Sequence, residues 1–215
     1  MFYKDSREVY RSSELDALPW LIHGFGTRKS DIPAWFANLA TVKQIHSASV
    51  VEAEGRCGIL GEGDALLENH PGAVIAVKTA DCMPILLVDE RNHAVAAVHA
   101  GWRGTAAHIV SAAVESMHRR FGTRPHDLHA AIGPGIGKCC YEVGPEVAAH
   151  FGERGRAHIS LSDSNRAQLT QAGVTPQQIY ASNLCTMCLA KDFHSYRRDQ
   201  QAAGRLYSFV GIRTL

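Results

Sequence analysis

Three apolar runs of strand length, Ala73 to Thr79, Ile85 to Asp89 and Ala94 to His99, follow one another with no helix-length segment between them. A parallel array of β-α-β units needs a crossover of roughly a dozen residues between neighbours. Strands this often adjacent therefore exclude a pure array of that kind and point to one domain of mixed α and β structure. The segment ADCMP joins the first two runs, and its Pro84 disfavours continuous helix. Cys82 is expected between two buried strands.

After the third run come AGWRGT and AAHIVSAAVESMHRRF, whose Ala content and apolar spacing are helical. Thr105 is the expected N-cap and Gly122 the stop, with Arg119 and Arg120 in the last turn. Upstream, Trp20 to Gly26 reads as a strand running into the polar GFGTR loop that carries Arg28. Thr41 to Ala53 reads as one or two extended pieces with His46 in the middle, and GRCGILGEGD as turn. Downstream, Asp127 to Ile132 is an expected strand leading into the glycine-rich GPGIGKCCYEVG, followed by a short helix from Pro145 to Phe151. Residues 152–163 read as a polar surface connection, Asn165 to Ala172 as a helix stopped by Gly173, Ile179 to Ser182 as strand, and LYSFVGIRTL as a final strand.

The chain has 215 residues, 46% of them hydrophobic and 20% charged, which suits a single soluble domain spanning 1–215. Its 22 Lys and Arg against 21 Asp and Glu are scattered, giving +1, and this excludes a phosphate-tracking nucleic-acid binder. The first residues, MFYKDSREVYRSSELD, lack the apolar core of a signal peptide. Apolar stretches such as Pro84 to Val88 are too short for a bilayer of about 30 Å, so no membrane span is expected. A reducing cytoplasm follows as the expected location, where six cysteines serve as metal ligands, nucleophiles or small buried hydrophobes.

His46, Cys82 and His99 stand out because each lies beside a strand end or a turn. Two imidazoles and a thiolate suit zinc, and three protein ligands with one open position mark a catalytic rather than a structural site. The separations of 36 and 17 residues match no zinc-finger spacing, so the fold must bring the three together. Each residue taken alone reads first as a satisfied, partly buried His or a small buried Cys. A second reading makes Cys82 a nucleophile activated by His99.

The blocks KQIHSASV, GDALLENHPGAVIAVKTADCMPILLVD, AVAAVHAGWRGTAAHIV, AAIGPGIGKCCYEVGPEV, CTMC and FHSYRRD with the following AGR occur in an order that resembles the laccase-domain, or polyphenol-oxidase-like, family. That family is also called peptidoglycan editing factor, and its members were reassigned as zinc-dependent purine nucleoside phosphorylases. The resemblance implies a mixed-sheet α/β sandwich similar to the cytotoxic necrotizing factor deamidases, and one zinc ion on His46, Cys82 and His99. It implies phosphorolysis of purine nucleosides, methylthioadenosine included, and deamination of adenosine, with no obligate protein partner. A peptidoglycan-precursor amidase using the same Cys and His is the alternative. A multicopper centre is excluded because it needs many more histidines in paired clusters.

Within that frame Asp81, next to Cys82, is the expected proton carrier, with Asp64 in reserve. Arg103 in HAGWRG is the expected phosphate contact or else a pin for the turn, and Arg28 has a similar claim. Gln44 either bonds a base or orients a ligand, or is a surface glutamine. Cys139 and Cys140, being adjacent, fit one pointing inward and one outward, with Cys140 lining the site. CTMC lacks the surroundings of a thioredoxin and a second CxxC that would complete a zinc ribbon, so packing is its expected role. The SYRRD segment, with Tyr196, Arg197, Arg198 and Asp199, reads either as a salt-bridged wall of the pocket or as a surface ion-pair cluster, and a structural role is expected.

Overall fold

Met83–Asp89 is buried along all seven of its residues, and this decides the layering of the computed structural model, which describes residues 1–214. The strands are β1 (Phe2–Lys4), β2 (Val9–Ser12), β3 (Leu21–Gly26), β4 (Leu39–Lys43), β5 (Val50–Glu52), β6 (Gly58–Glu62), β7 (Ala65–Glu68), β8 (Val74–Thr79), β9 (Met83–Asp89), β10 (Ala94–Ala100), β11 (Leu128–Ile132), β12 (Glu142–Val143), β13 (Ala157–His158), β14 (Ile179–Ala181) and β15 (Leu206–Ile212). The helices are α1 (Ser13–Asp16), α2 (Ile32–Trp35), α3 (Trp102–Ala106), α4 (Ile109–Phe121), α5 (Pro145–Ala148), α6 (Leu161–Gln171) and α7 (Tyr196–Asp199).

Two mixed sheets carry the fold. One has the order β1-β2-β3-β15-β8-β4-β6 and the other β14-β11-β9-β10-β7-β5. Along β9 the pleat sends Ile85 and Leu87 into a core shared with Ile109, Ala113 and Met117 of α4 and Leu169 of α6. Leu86 and Val88 face the opposite way and meet Ile75 and Val77 of β8 and Val210 of β15. The six-stranded sheet is therefore covered by helices on one face and by the other sheet on its second face. Strands buried on both faces read as unbroken apolar runs, which is how β8, β9 and β10 announce themselves in the sequence. The mixed α/β sandwich is thus the observed architecture.

The expected single helix from Thr105 is two helices. His108 adopts φ +59° between α3 and α4, so the chain turns there. Thr105 is not a cap but a buried anchor: its hydroxyl accepts from Asn165 Nδ2 at 3.0 Å and its carbonyl from Gln168 Nε2 at 2.8 Å. Those bonds explain a second difference. Helix α6 begins at Leu161, capped by Ser160, which accepts from the Asp163 N–H at 3.1 Å. Its buried face includes Asn165 and Gln168, so apolar spacing does not reveal its first turn. Gly122 ends α4 at φ +69° as expected, its N–H donating to the His118 carbonyl at 3.0 Å. The GRCGILGEGD turn contains an edge strand, β6, mostly exposed and interrupted by glycines at φ +84° and +129°.

Candidate functional site

Strands β9 and β10 pair antiparallel with His99 opposite Pro84 and Ala100 opposite Met83. Alternation along β10 puts His99 on the side of Val95 and Ala97, which face the seven-stranded sheet. Cys82 precedes β9 on the Pro84 side of the pleat, so the hairpin end presents thiol and imidazole in one direction. His46 arrives from the connection between β4 and β5 at φ +59°. His46, Cys82 and His99 each bring one ligand atom within 4.8 Å of the others. The two rings meet edge to face, 4.9 Å between centroids.

Asp64 assembles this trio. It is fully buried, and its Oδ1 lies 2.8 Å from His99 Nδ1. The same carboxylate accepts from the backbone N–H of His46 at 3.0 Å, and from the N–H and hydroxyl of Ser47 at 2.6 and 2.8 Å. One buried side chain thus fixes the ring of His99 and the backbone carrying His46. With Nδ1–H given to Asp64, Nε2 of His99 is the nitrogen that would bind a metal, giving up its own proton as it does so.

The three ionisable partners stabilise one another's charge. Burial alone raises Asp64, but the His99 and Ser47 donors bring it down to about 2. Burial likewise raises Cys82, yet His46 and His99 bring it down to about 6. Burial lowers His99, and Asp64 and Cys82 reverse this to about 9. A thiolate is therefore available at neutral pH, as a metal ligand or a nucleophile must be.

The donor set fits a single ion. Gly101 supplies the space: a Cβ there would stand 2.9 Å from Cys82 Sγ and 3.2 Å from His46 Cδ2. Among the described residues no fourth His, Cys, Asp or Glu joins the group, so one coordination position stays free for a small molecule. The three donors line a cavity of about 660 Å³, within the size range of small-molecule sites.

Of the other residues singled out in the sequence, Gln44, Asp81 and Arg103 line this cavity. Arg103 is exposed and stacks over Trp102 at 4.3 Å. Gln44 is neither a free surface side chain nor a ready base contact. Its Nε2 donates to the Lys78 carbonyl at 2.7 Å and its Oε1 accepts from the Lys78 N–H at 2.8 Å, clamping the end of β4 to β8. Asp81, at φ +88°, accepts from the Thr186 hydroxyl at 2.6 Å and from the Arg197 N–H at 2.6 Å.

Three expectations shift. Asp64 sits behind the histidines, without a place in the cavity wall, because its oxygens are consumed by His99 and the His46–Ser47 backbone. Arg28 does not line the cavity either; its Nη1 donates to the Ala190 carbonyl at 2.8 Å. Cys140 points to Cys188, 3.4 Å away between sulfurs, and not into the cavity.

Sequence reasoning missed Lys78 and Tyr141, which also face the cavity, and Arg197 of SYRRD faces it too, although a structural role was the expected one for that segment. The phenol of Tyr141 is pushed up to about 12 by burial and by the neighbouring Cys82 and Asp81, so it remains a donor at neutral pH. Arg197 and Arg198 divide the work of SYRRD. Arg198 donates to the carbonyls of Thr186, Met187 and Phe193, whereas Arg197 reaches the cavity rim and the Glu142 carbonyl. A pair of adjacent arginines cannot reveal in sequence which one turns inward. In all, the cavity wall holds five Lys and Arg side chains and one carboxylate, Asp81.

The sequence model of a family described as multi-copper polyphenol oxidoreductase laccase matches residues 29–213. A purine nucleoside phosphorylase of Deinococcus radiodurans is 41% identical over 185 residues, covering 81% of this chain and 70% of that one. An adenosine deaminase from an unknown prokaryotic organism is 40% identical, covering 81% of this chain and 74% of its own. The crystal structure of YlmD from Geobacillus stearothermophilus superposes with a TM-score of 0.91 at 26% identity, covering 99% of both chains.

Proposed function

Because the chain belongs to the family described as multi-copper polyphenol oxidoreductase laccase, we propose that it does the work its curated relatives are named for, phosphorolysis of purine nucleosides and deamination of adenosine. Methylthioadenosine is proposed as a further substrate, and one zinc ion as the cofactor on His46, Cys82 and His99. The observation that carries the reading is a three-donor site with a free position, lining a cavity with an excess of cations.

When bound, zinc supplies a Lewis acid at its open position, able to polarise a substrate oxygen or a water molecule. The chain's own residues supply the rest. Asp64 keeps the His99 ring oriented and the His46 backbone fixed. Lys78, Arg103 and Arg197 give the cavity the charge to attract phosphate, Arg103 presenting its guanidinium from the Trp102 face. Tyr141 donates a hydrogen bond to a purine nitrogen or a ribose oxygen. Asp81 is the carboxylate of the wall, held by Thr186 and Arg197, and is the group assigned here as proton carrier. Copper oxidase chemistry is not proposed, because this group holds two imidazoles and one thiolate, and the other metal-capable group among the described residues contains only cysteines.

Mass-spectrometric analysis of adenosine incubated with zinc-loaded protein, with and without phosphate, tests the reading. Adenine and ribose 1-phosphate formed only with phosphate, or inosine in either case, is the expected result. No product from any purine nucleoside overturns it.

One observation favours a second reading. Cys82, His99 and Asp64 also form a line of nucleophile, base and orienting carboxylate, with the thiol lowered to about 6. A peptidoglycan-precursor amidase would use that line in a metal-free protein and release an amino acid from a muramyl peptide. Such release by chelator-treated protein, without nucleoside turnover by the zinc form, is the result that selects it.

A further inference from the structure

Four cysteines meet at a second place. Cys139 and Cys140 lie between β11 and β12, and Cys185 and Cys188 in the turn beyond β14. Their four Sγ atoms all lie within 4.8 Å of one another, with Cys139 to Cys188 at 3.8 Å and Cys140 to Cys188 at 3.4 Å. In a tetrahedral zinc tetrathiolate with bonds of about 2.3 Å the sulfurs stand about 3.8 Å apart. CTMC has no second CxxC in the sequence, and the fold supplies the missing half as the adjacent pair Cys139–Cys140.

The surroundings are built for the cluster. The Gly137 N–H donates to Cys185 Sγ at 3.2 Å, a bond that favours a thiolate. A Cβ at Gly137 would stand 3.2 Å from Cys139 Sγ and 3.3 Å from Cys185 Cβ, so the glycine lets the backbone approach the sulfurs. Gly135 and Cys185 form a parallel bridge that binds the two loops, and the Thr186 N–H donates to the Gly135 carbonyl at 3.0 Å. Cys185 is buried while Cys139 and Cys188 are exposed, which leaves a route for a metal to enter. None of the four lines the cavity of the His46–Cys82–His99 site.

We infer that Cys139, Cys140, Cys185 and Cys188 form a structural zinc site, separate from the His46–Cys82–His99 group and closed by four thiolates. Each cysteine loses its proton on binding, and the ion takes up four sulfur bonds with no change of oxidation state. The site ties the GPGIGKCC loop to the CTMC turn. Thr186 lies inside that turn and bonds Asp81, so the ion braces the cavity wall from behind.

The test counts zinc by elemental mass spectrometry in protein purified under reducing, anaerobic conditions, using variants that separate the two groups. His99→Ala is expected to keep about one zinc per chain, and His99→Ala with Cys188→Ser to keep none. Cobalt loaded into His99→Ala should give an intense thiolate-to-metal absorption that four sulfurs produce and that Cys188→Ser removes. Because Cys188→Ser could fail to fold, the His99→Ala count stands as a test by itself. A zinc-free His99→Ala protein overturns the site, as does a mass deficit showing disulfides among these four cysteines in the anaerobic protein. Loss of nucleoside activity in His99→Ala bears only on the proposed function and leaves this count readable.

Discussion

A single buried carboxylate holds both histidines of the trio, and this makes Asp64 the residue whose loss should separate metal affinity from folding. Asp64→Asn keeps the shape but gives up the charge opposite His99 and can present its amide N–H₂ to the ring. Zinc affinity is expected to fall by roughly 10- to 100-fold, as for other oriented metal-binding histidines, measured by competition with a chromogenic chelator. Unchanged affinity would show that Asp64 only organises backbone. Gly101→Ala tests the space beside the ligands: its methyl would stand 2.9 Å from Cys82 Sγ, so metal and activity should both drop while the protein stays folded by circular dichroism. At this scale the sequence was informative for chemistry and poor for direction. His46, Cys82 and His99 differ in kind from their apolar neighbours, and the family motifs marked them. Whether Asp64 faces substrate or ligand, or whether Arg197 or Arg198 turns inward, depends on register and loop path that one-dimensional spacing does not carry.

Elements buried on both faces declare themselves by continuous apolarity, and elements held by polar bonds do not. Strands β9 and β10 belong to the first kind. Leu86 is fully buried between the sheets, so Leu86→Ala should cost about 2–5 kcal/mol, read from the midpoint of urea unfolding. Helix α6 belongs to the second kind. Its buried Asn165 bonds the Thr105 hydroxyl and the Leu161 carbonyl, joining α6 to α3. Asn165→Ala leaves both groups without this partner and is expected to cost about 1–3 kcal/mol. A neutral effect would mean that the tie between the helices adds nothing to stability. The contrast explains why the first turn of α6 read as surface connection while the β-sandwich was legible. It also explains β6, whose exposed, glycine-broken sequence gives neither signal and which is a strand only because β4 offers it an edge.

Acid stability belongs to the whole molecule, because it sums the proton uptake of every group that folding perturbs. No helix among the described residues is long and apolar enough to cross a membrane. His23 on β3 is the clearest single contributor. It is 1% exposed, and its Nε2 accepts from the Ser12 N–H at 3.1 Å, a bond only the neutral ring can make. Burial lowers it to about 4, Asp16 working against this and Arg11 with it. An unfolded histidine titrates near 6.5. Between the two values the unfolded chain binds the extra proton, so acid favours unfolding. The stabilisation is fully present above about pH 6.5 and is lost as pH falls toward about 4, amounting to roughly 3 kcal/mol over that window. His23→Gln can accept from the same N–H yet does not titrate. Its urea midpoint should therefore fall less steeply than that of the parent protein between these two pH values, while parallel pH profiles for the two proteins would assign the acid sensitivity to other groups.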